Sequence, residues 1–270
     1  MANSDKEDNY KFFIFSNYIS DENKRKIDEL KSIRDFELEY FILDMLEFKN
    51  IKASNNIGDS AFYRLKAFEM LSVDKVIYFD SDIIIRKDIK EFYRTNISSY
   101  CCAGVEDLIS TKTKNKLGFP SDMCYINSGV MLLNLNYCRQ ENILNKIKDI
   151  LENNWTGEWN DQDLLNYIFY RKLKFVDYTW NYQPFPNQYK DKAHFNDVGK
   201  DPAVVHYLGV RKPWRAGIVT PYKIEYFKYL KITPWYKDFC DLYMIEESII
   251  NTERIEMILG ILNSMVQYKR

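Results

Sequence analysis

Asp80 and Asp82 flank Ser81 in the run Val76-Ile77-Tyr78-Phe79-Asp80-Ser81-Asp82-Ile83-Ile84-Ile85, an apolar strand pattern interrupted midway by two carboxylates. Successive side chains of a strand point to opposite faces, so Asp80 and Asp82 are expected on one side and Ser81 on the other. Two ionised carboxylates that close repel each other unless a cation lies between them. Oxygen ligands favour a hard divalent ion, Mn2+ or Mg2+, over zinc. Such an ion keeps open coordination positions that diphosphate oxygens can fill, so the pattern points to metal-assisted chemistry on a nucleotide-linked substrate. The same pair also serves to end a strand at a turn. A third reading is the haloacid-dehalogenase pattern, in which the first Asp accepts a phosphoryl group. That pattern usually has Thr or Val two positions after its second Asp, where this chain has Ile84, and it usually sits on the first strand.

Three further clusters could join this pair. In Val204-Val205-His206-Tyr207-Leu208-Gly209-Val210-Arg211-Lys212-Pro213-Trp214, an apolar strand ends in a histidine and runs into a glycine turn with two cations. Neutral imidazole is a competent ligand beside two carboxylates, Gly209 allows close backbone approach to a phosphate, and Lys212 adds a point charge. A buried histidine at a strand end followed by solvated cations fits the same residues. In Trp159-Asn160-Asp161-Gln162-Asp163-Leu164-Leu165-Asn166, polar residues crowd a helix start, where Asn160 or Asp161 also reads as a simple N-cap. Tyr125-Ile126-Asn127-Ser128-Gly129-Val130-Met131-Leu132-Leu133-Asn134 is an apolar strand entered through an amide and a glycine.

The elements that must position these residues alternate in type. Lys11 to Phe15 reads as a strand, Asp21 to Ile33 as a helix capped by Ser20, and Phe36 to Leu43 as a strand. A helical segment over 60–71, the Asp80 strand, a strand near Cys101 to Val105 and the strand Tyr125 to Leu135 follow. Helices are expected over Asn136–Glu152 and Asp161–Tyr170, and strands over Lys174–Asp177 and Val204–Tyr207, with a Pro/Asn-rich loop around Gln183 to Lys190. The alternation implies an α/β fold with a doubly wound, mostly parallel sheet. Beyond Trp214 the chain turns aromatic and basic, with helical segments at 221–230, 235–243 and 246–268. The expected division is a domain over 1–220 and a helical tail over 221–270.

Composition narrows the classes. Of 270 residues 46% are hydrophobic, enough for a substantial core, and 38 basic against 39 acidic residues leave a net charge of −1. Nothing global favours nucleic acid as a partner, so any anion recognition must be local. Five cysteines without a C-x-x-C spacing suit reduced thiols in the cytosol. No apolar stretch approaches the roughly 20 residues that span a bilayer, and the polar start does not read as a signal peptide. A cytoplasmic protein is expected. The tail residues Tyr222, Tyr226, Phe227, Lys228, Tyr229, Lys231, Trp235, Tyr236 and Lys237 suit peripheral contact with the inner membrane face, or ordinary packing on the domain.

In order along the chain, Tyr-x-Asp-x-Asp, Asn-Ser-Gly-Val-x-Leu-x-Asn, Asp-Gln-Asp and His-Tyr-x-Gly-x-x-Lys-Pro-Trp make this sequence resemble glycosyltransferase family 8 from about Phe12 to about Trp235. The resemblance implies a GT-A-type, Rossmann-like fold and a retaining transfer of galactose or glucose from UDP-galactose or UDP-glucose to a saccharide or glycolipid hydroxyl. Lipopolysaccharide, lipooligosaccharide or another surface glycan is the implied product. It makes Asp80, Asp82 and His206 the ligands of Mn2+, with Mg2+ as the alternative, places Gly209 and Lys212 at the UDP diphosphate, and counts Ser81 among the donor-binding residues. Arg64 matches a family arginine near the donor sugar and phosphates, though it also reads as an exposed helix residue. Asn127, Asp161 and Gln162 would hold the hexose, with Gln162, and Asp161 beside it, at the reacting carbon. Asp107 aligns with a position lining the acceptor pocket and equally fits a surface loop.

The chain departs from the family at its start. The family's first strand, with Phe-Ala-x-Asp-x-Asn-Tyr against uridine, and the long helix after it have no counterpart, and Lys11-Phe12-Phe13-Ile14-Phe15 matches the second strand instead. A weakened nucleotide pocket is therefore expected. The competing expectation is a catalytically impaired or non-catalytic binding protein derived from such an enzyme.

Overall fold

The structure is a computed structural model that describes residues 3–5, 7–44, 59–107, 114–152 apart from 116 and 121, 161–184, 192–215 and 218–243. Eight strands are present among these: β1 (Lys11–Ser16), β2 (Glu37–Ile42), β3 (Lys75–Phe79), β4 (Ile83–Ile85), β5 (Cys102–Glu106), β6 (Ile126–Asn134), β7 (Leu173–Val176) and β8 (Val204–His206). They form a four-stranded sheet of order β3-β6-β5-β7 and two two-stranded pairs, β1-β2 and β4-β8.

In the central sheet β3, β5 and β7 run in one direction and β6 alone opposes them, pairing antiparallel with β3 and β5 while β5 and β7 pair parallel. Strand β6 has neighbours on both edges, and its residues Ile126 to Leu133 are all buried. That is why it reads as an almost unbroken apolar run rather than an alternating one. Each fully buried Leu, Met or Val there contributes roughly 1.5–3 kcal/mol. Among the described residues strand β3 has a strand partner on one edge, and all five of its residues are only half-buried.

The first βαβ unit forms as its pattern predicts. Ser20 Oγ accepts the Asn23 amide at 3.1 Å, capping the helix Asp21–Glu29, and β1 and β2 pair in parallel over six residues. The expected helix over 136–152 is two helices, Leu135–Gln140 and Ile143–Glu152, because Asn142 takes a left-handed conformation with φ 55° that no continuous helix accommodates. A short helix, Lys192–Val198, also forms in a stretch to which the sequence pattern assigns no element.

One correction bears on the site. Residues 76–85 are not a single strand: β3 stops at Phe79, the chain bends through Ser81 and Asp82, and Ile83–Ile85 pairs with β8 in a different sheet. Strand alternation is therefore not what brings Asp80 and Asp82 together; the crossing from one sheet to the other is. Ser81 lies in that bend and is exposed.

The tail helices Lys223–Lys231 and Trp235–Tyr243 form as expected. The predicted helix over 246–268 lies outside the described residues. No described helix is long and apolar enough to cross a membrane.

Candidate metal and donor site

The sheet crossing puts three ligand-bearing side chains at one point. Asp80 follows β3, with its amide held by the Gly129 carbonyl of β6 at 2.8 Å. Antiparallel register sets His206 opposite Ile83, and the Tyr207 amide donates to the Asp82 carbonyl at 2.9 Å. His206 Nε2 thereby lies 3.2 Å from Asp82 Oδ1 and 3.6 Å from Asp80 Oδ2. The ligand atoms of Asp80, Asp82 and His206 all fall within 4.8 Å of one another, and among the described residues no other His/Cys/Asp/Glu group does so.

The packing leaves no room for a larger residue behind them. A Cβ at Gly129 would sit 2.1 Å from His206 Cε1 and 2.7 Å from Asp80 Oδ2, so glycine lets the imidazole and carboxylate lie against the β6 backbone.

Around this point the charges are unequal: Asp80, Asp82, Asp107 and Asp161 face Arg64 and Lys212. Arg64 is buried, and its guanidinium meets Asp80 Oδ1 at 2.8 Å, Asp161 Oδ2 at 2.7 Å and the Ser128 carbonyl at 2.7 Å, above the Tyr78 ring at 4.3 Å. Burial opposes its charge, but Asp161, Tyr78 and Asp80 outweigh that and raise its pKa. Tyr78 Oη donates to the same Asp80 Oδ1 at 2.7 Å. Lys212 Nζ bonds Asp82 Oδ2 and donates to the Tyr207 carbonyl at 2.6 Å. Burial alone would raise Asp82, yet His206 and Lys212 bring it down to about 2. Burial pushes Asp161 up to about 6 against the pull of Arg64. Burial likewise raises Asp107, against the amides of Asn127 and Gln162. A hard divalent cation fits this excess of carboxylate oxygen with one imidazole nitrogen.

The helix Asp161–Ile168, which carries Asp161, also brings Gln162 to the cluster. Asn166 clamps it to β6 by accepting the Ile126 amide at 2.7 Å and donating to the Ile126 carbonyl at 2.9 Å. Gln162 Oε1 accepts the Ser128 amide at 2.9 Å, and its Nε2 lies 3.4 Å from Asp107 Oδ2. Asn127 Nδ2 donates to that same oxygen at 3.2 Å. Arg64, Asp80, Asp82, Asp107, Asn127, Asp161, Gln162, His206 and Lys212 therefore form one continuous hydrogen-bonded group. Gly209 stands apart, exposed in the turn after β8 with φ 58°, the left-handed region that favours glycine.

Sequence reasoning missed Asn181, the last residue of the 3-10 turn Tyr178–Asn181. It is fully buried, donates to Asn127 Oδ1 at 2.9 Å and holds His206 Nδ1 at 3.0 Å. Its flanks, Trp180 and Tyr182, are apolar aromatics, and no spacing distinguishes this amide from a loop residue.

The fold and this site define a class. The WbbM bifunctional glycosyltransferase, in its apo structure, matches with TM-score 0.76 at 22% identity, covering 88% of this chain and 47% of that one. The galactosyltransferase LgtC, solved with donor and acceptor sugar analogues, matches with TM-score 0.72 at 20% identity, covering 84% of this chain and 88% of that one. The architecture is that of GT-A glycosyltransferases. The model of glycosyl transferase family 8 matches residues 1–217, and the chain belongs to that family. General stress protein A of Bacillus subtilis is 26% identical over 87% of this chain and 87% of its own length. A putative glycosyltransferase of Haemophilus influenzae is 30% identical over 75% of this chain and 63% of its own. The lipopolysaccharide 1,3-galactosyltransferase of Salmonella typhimurium is 24% identical over 83% and 69%. The protein is accordingly a glycosyltransferase, and the phosphatase reading of Asp80 loses its support.

Proposed function

We propose that this chain transfers galactose or glucose from a UDP-sugar to a glycan hydroxyl with retention at the anomeric carbon, in the assembly of a bacterial surface glycan such as lipopolysaccharide. The observation that carries the reading is the meeting of Asp80, Asp82 and His206 within 4.8 Å at the junction of two sheets, beside Gln162 and Asp107. Relatives named as lipopolysaccharide galactosyl- and glucosyltransferases support the sugar class.

In this reading Asp80, Asp82 and His206 hold Mn2+, or Mg2+ in its place. Bound there, such an ion would supply positive charge to the diphosphate of a leaving UDP. Lys212 turns from Asp82 to a phosphate oxygen, with Ser81 and the Gly209 backbone beside it. Arg64 stays with Asp80 and Asp161 and keeps both carboxylates in place near the donor. Asn127, Asp161 and Gln162 hold the hexose, and Asp107 lines the acceptor side. Retention usually invites a carboxylate nucleophile. The family resemblance puts an amide, Gln162, rather than a carboxylate at the reacting carbon, and the reading therefore takes same-face attack assisted by the leaving phosphate.

Calorimetric titration of UDP with Mn2+, with EDTA, and into Asp82→Ala tests the reading. Mn2+-dependent binding lost in the variant is the expected outcome. UDP binding of equal strength in EDTA, or none to folded protein, would overturn it. Peripheral contact with the cytoplasmic membrane face belongs to the same proposal and is tested by vesicle sedimentation.

A further inference from the structure

The amide chain behind His206 has a polarity that two fixed points dictate. The Gly129 amide can only donate, and it points at Asn127 from 3.0 Å, so the Asn127 atom facing it is the oxygen. The opposite end of that amide is then the nitrogen, and it meets the acceptor Asp107 Oδ2 at 3.2 Å, as the assignment requires. Asn181 faces the Asn127 oxygen at 2.9 Å and must present its own nitrogen there. Its oxygen consequently faces His206 Nδ1 at 3.0 Å. An oxygen acceptor at that distance needs a proton on Nδ1.

We propose that Asn181 is a positioning residue that fixes the proton of His206 on Nδ1 and so commits Nε2 to the Asp80–Asp82 point. The chain Asp107–Asn127–Asn181–His206 sets this orientation from the far side of the site. The metal half of the proposal rests on the reading of His206 as a ligand; the proton half does not. A metal-bound histidine whose other nitrogen donates to a fixed acceptor is held in rotamer and tautomer, and loss of such a partner typically costs about 10–100-fold in metal affinity. Asn181 has the burial this role needs, since water cannot substitute for it at Nδ1.

The chain has only two histidines, so a His194→Gln background leaves a single imidazole to observe by 15N NMR in histidine-labelled protein. An Nδ1-bound proton exists in both charge states of the ring. The expected result without metal is an Nδ1–H signal protected from solvent exchange, and sub-stoichiometric Mn2+ broadens the ring resonances. Asn181→Leu loses the protected signal and weakens Mn2+ binding about 10–100-fold. Asn181→Asp, which keeps an acceptor at Nδ1, restores the signal even though it breaks the bond to Asn127. A bare Nδ1 in the wild-type protein would overturn the proposal, as would Asn181→Leu binding Mn2+ with undiminished affinity. An intact Nδ1–H signal with ring resonances that ignore Mn2+ would overturn the metal half and the metal-site reading with it.

Discussion

Asp161 carries a titration that the rest of the molecule feels. Its carboxyl is pushed from 3.8 up to about 6 by burial. The native state therefore takes up a proton that the unfolded chain binds only near 3.9. A group raised in the folded state stabilises it below the unfolded value and loses that contribution as pH rises through the folded one. Between pH 4 and 6 the metal-free protein is expected to lose stability on the order of 3 kcal/mol from this residue as pH rises. Asp161→Asn flattens that part of the profile; urea unfolding at half-unit pH steps, wild type minus variant, reads the difference, and identical slopes would refute it. Gly129→Ala acts at the same scale through volume. The new methyl displaces His206 and Asp80, so Mn2+ affinity falls at least about tenfold and stability by roughly 1–3 kcal/mol. Metal titration beside a thermal melt checks both; a variant that binds Mn2+ normally shows that the clash relaxes elsewhere.

At the scale of elements, Asn166 shows how a helix is aimed. Its amide copies a strand neighbour, giving Ile126 both hydrogen bonds that a backbone partner would give, and so docks Asp161 and Gln162 against β6. Asn166→Leu leaves two buried backbone groups unpaired at about 1–3 kcal/mol each. Unfolding stability is expected to drop by at least about 2 kcal/mol, with weakened UDP binding because Gln162 drifts; a drop under about half that would mean water replaces the amide. Elements were legible in the sequence wherever one signal was strong: the capped helix after Ser20, the apolar run of β6, the strand ending at His206. The sheet crossing at Asp80–Asp82 was not, because Ile83-Ile84-Ile85 continues the apolar pattern of β3 without a Gly or Pro to mark the change of partner. The four motifs carry Asp80, Asp82, Asn127, Asp161, Gln162, His206 and Lys212, which the fold brings together, while Arg64 and Asp107 lie outside them. Asn181 escaped because its contacts, to residues 54 and 25 positions away, depend on long-range register, which no local spacing encodes.

Across the whole molecule, the tail is fastened rather than appended as far as Tyr243. Arg86, just beyond β4, bonds Glu225 and stacks on Tyr222 at 4.4 Å, while Tyr207 Oη donates to the Tyr222 carbonyl at 2.9 Å. At the other end Lys26 meets Asp238 at 2.5 Å and Trp235 Nε1 donates to Asn23 at 3.0 Å, joining the last described helix to the first. Removing 221–270 uncovers Tyr207 and its aromatic neighbours, so that truncation is expected to bind a hydrophobic dye and melt several degrees lower. A chain ending at Tyr243 keeps these contacts. It is the proper comparison in vesicle sedimentation, where partitioning equal to the full chain removes residues 244–270 from any membrane role.

Strand β4 is three residues long, yet together with Tyr182 on the other side it sets the height of His206. Pairings this short are marginal alone, so its amides open to deuterium ahead of those in β5 and β6. A ligand that bridges Asp80 and His206 closes that opening, and the exchange rates of Ile84 and its neighbours become a built-in clock for how long the site stays filled.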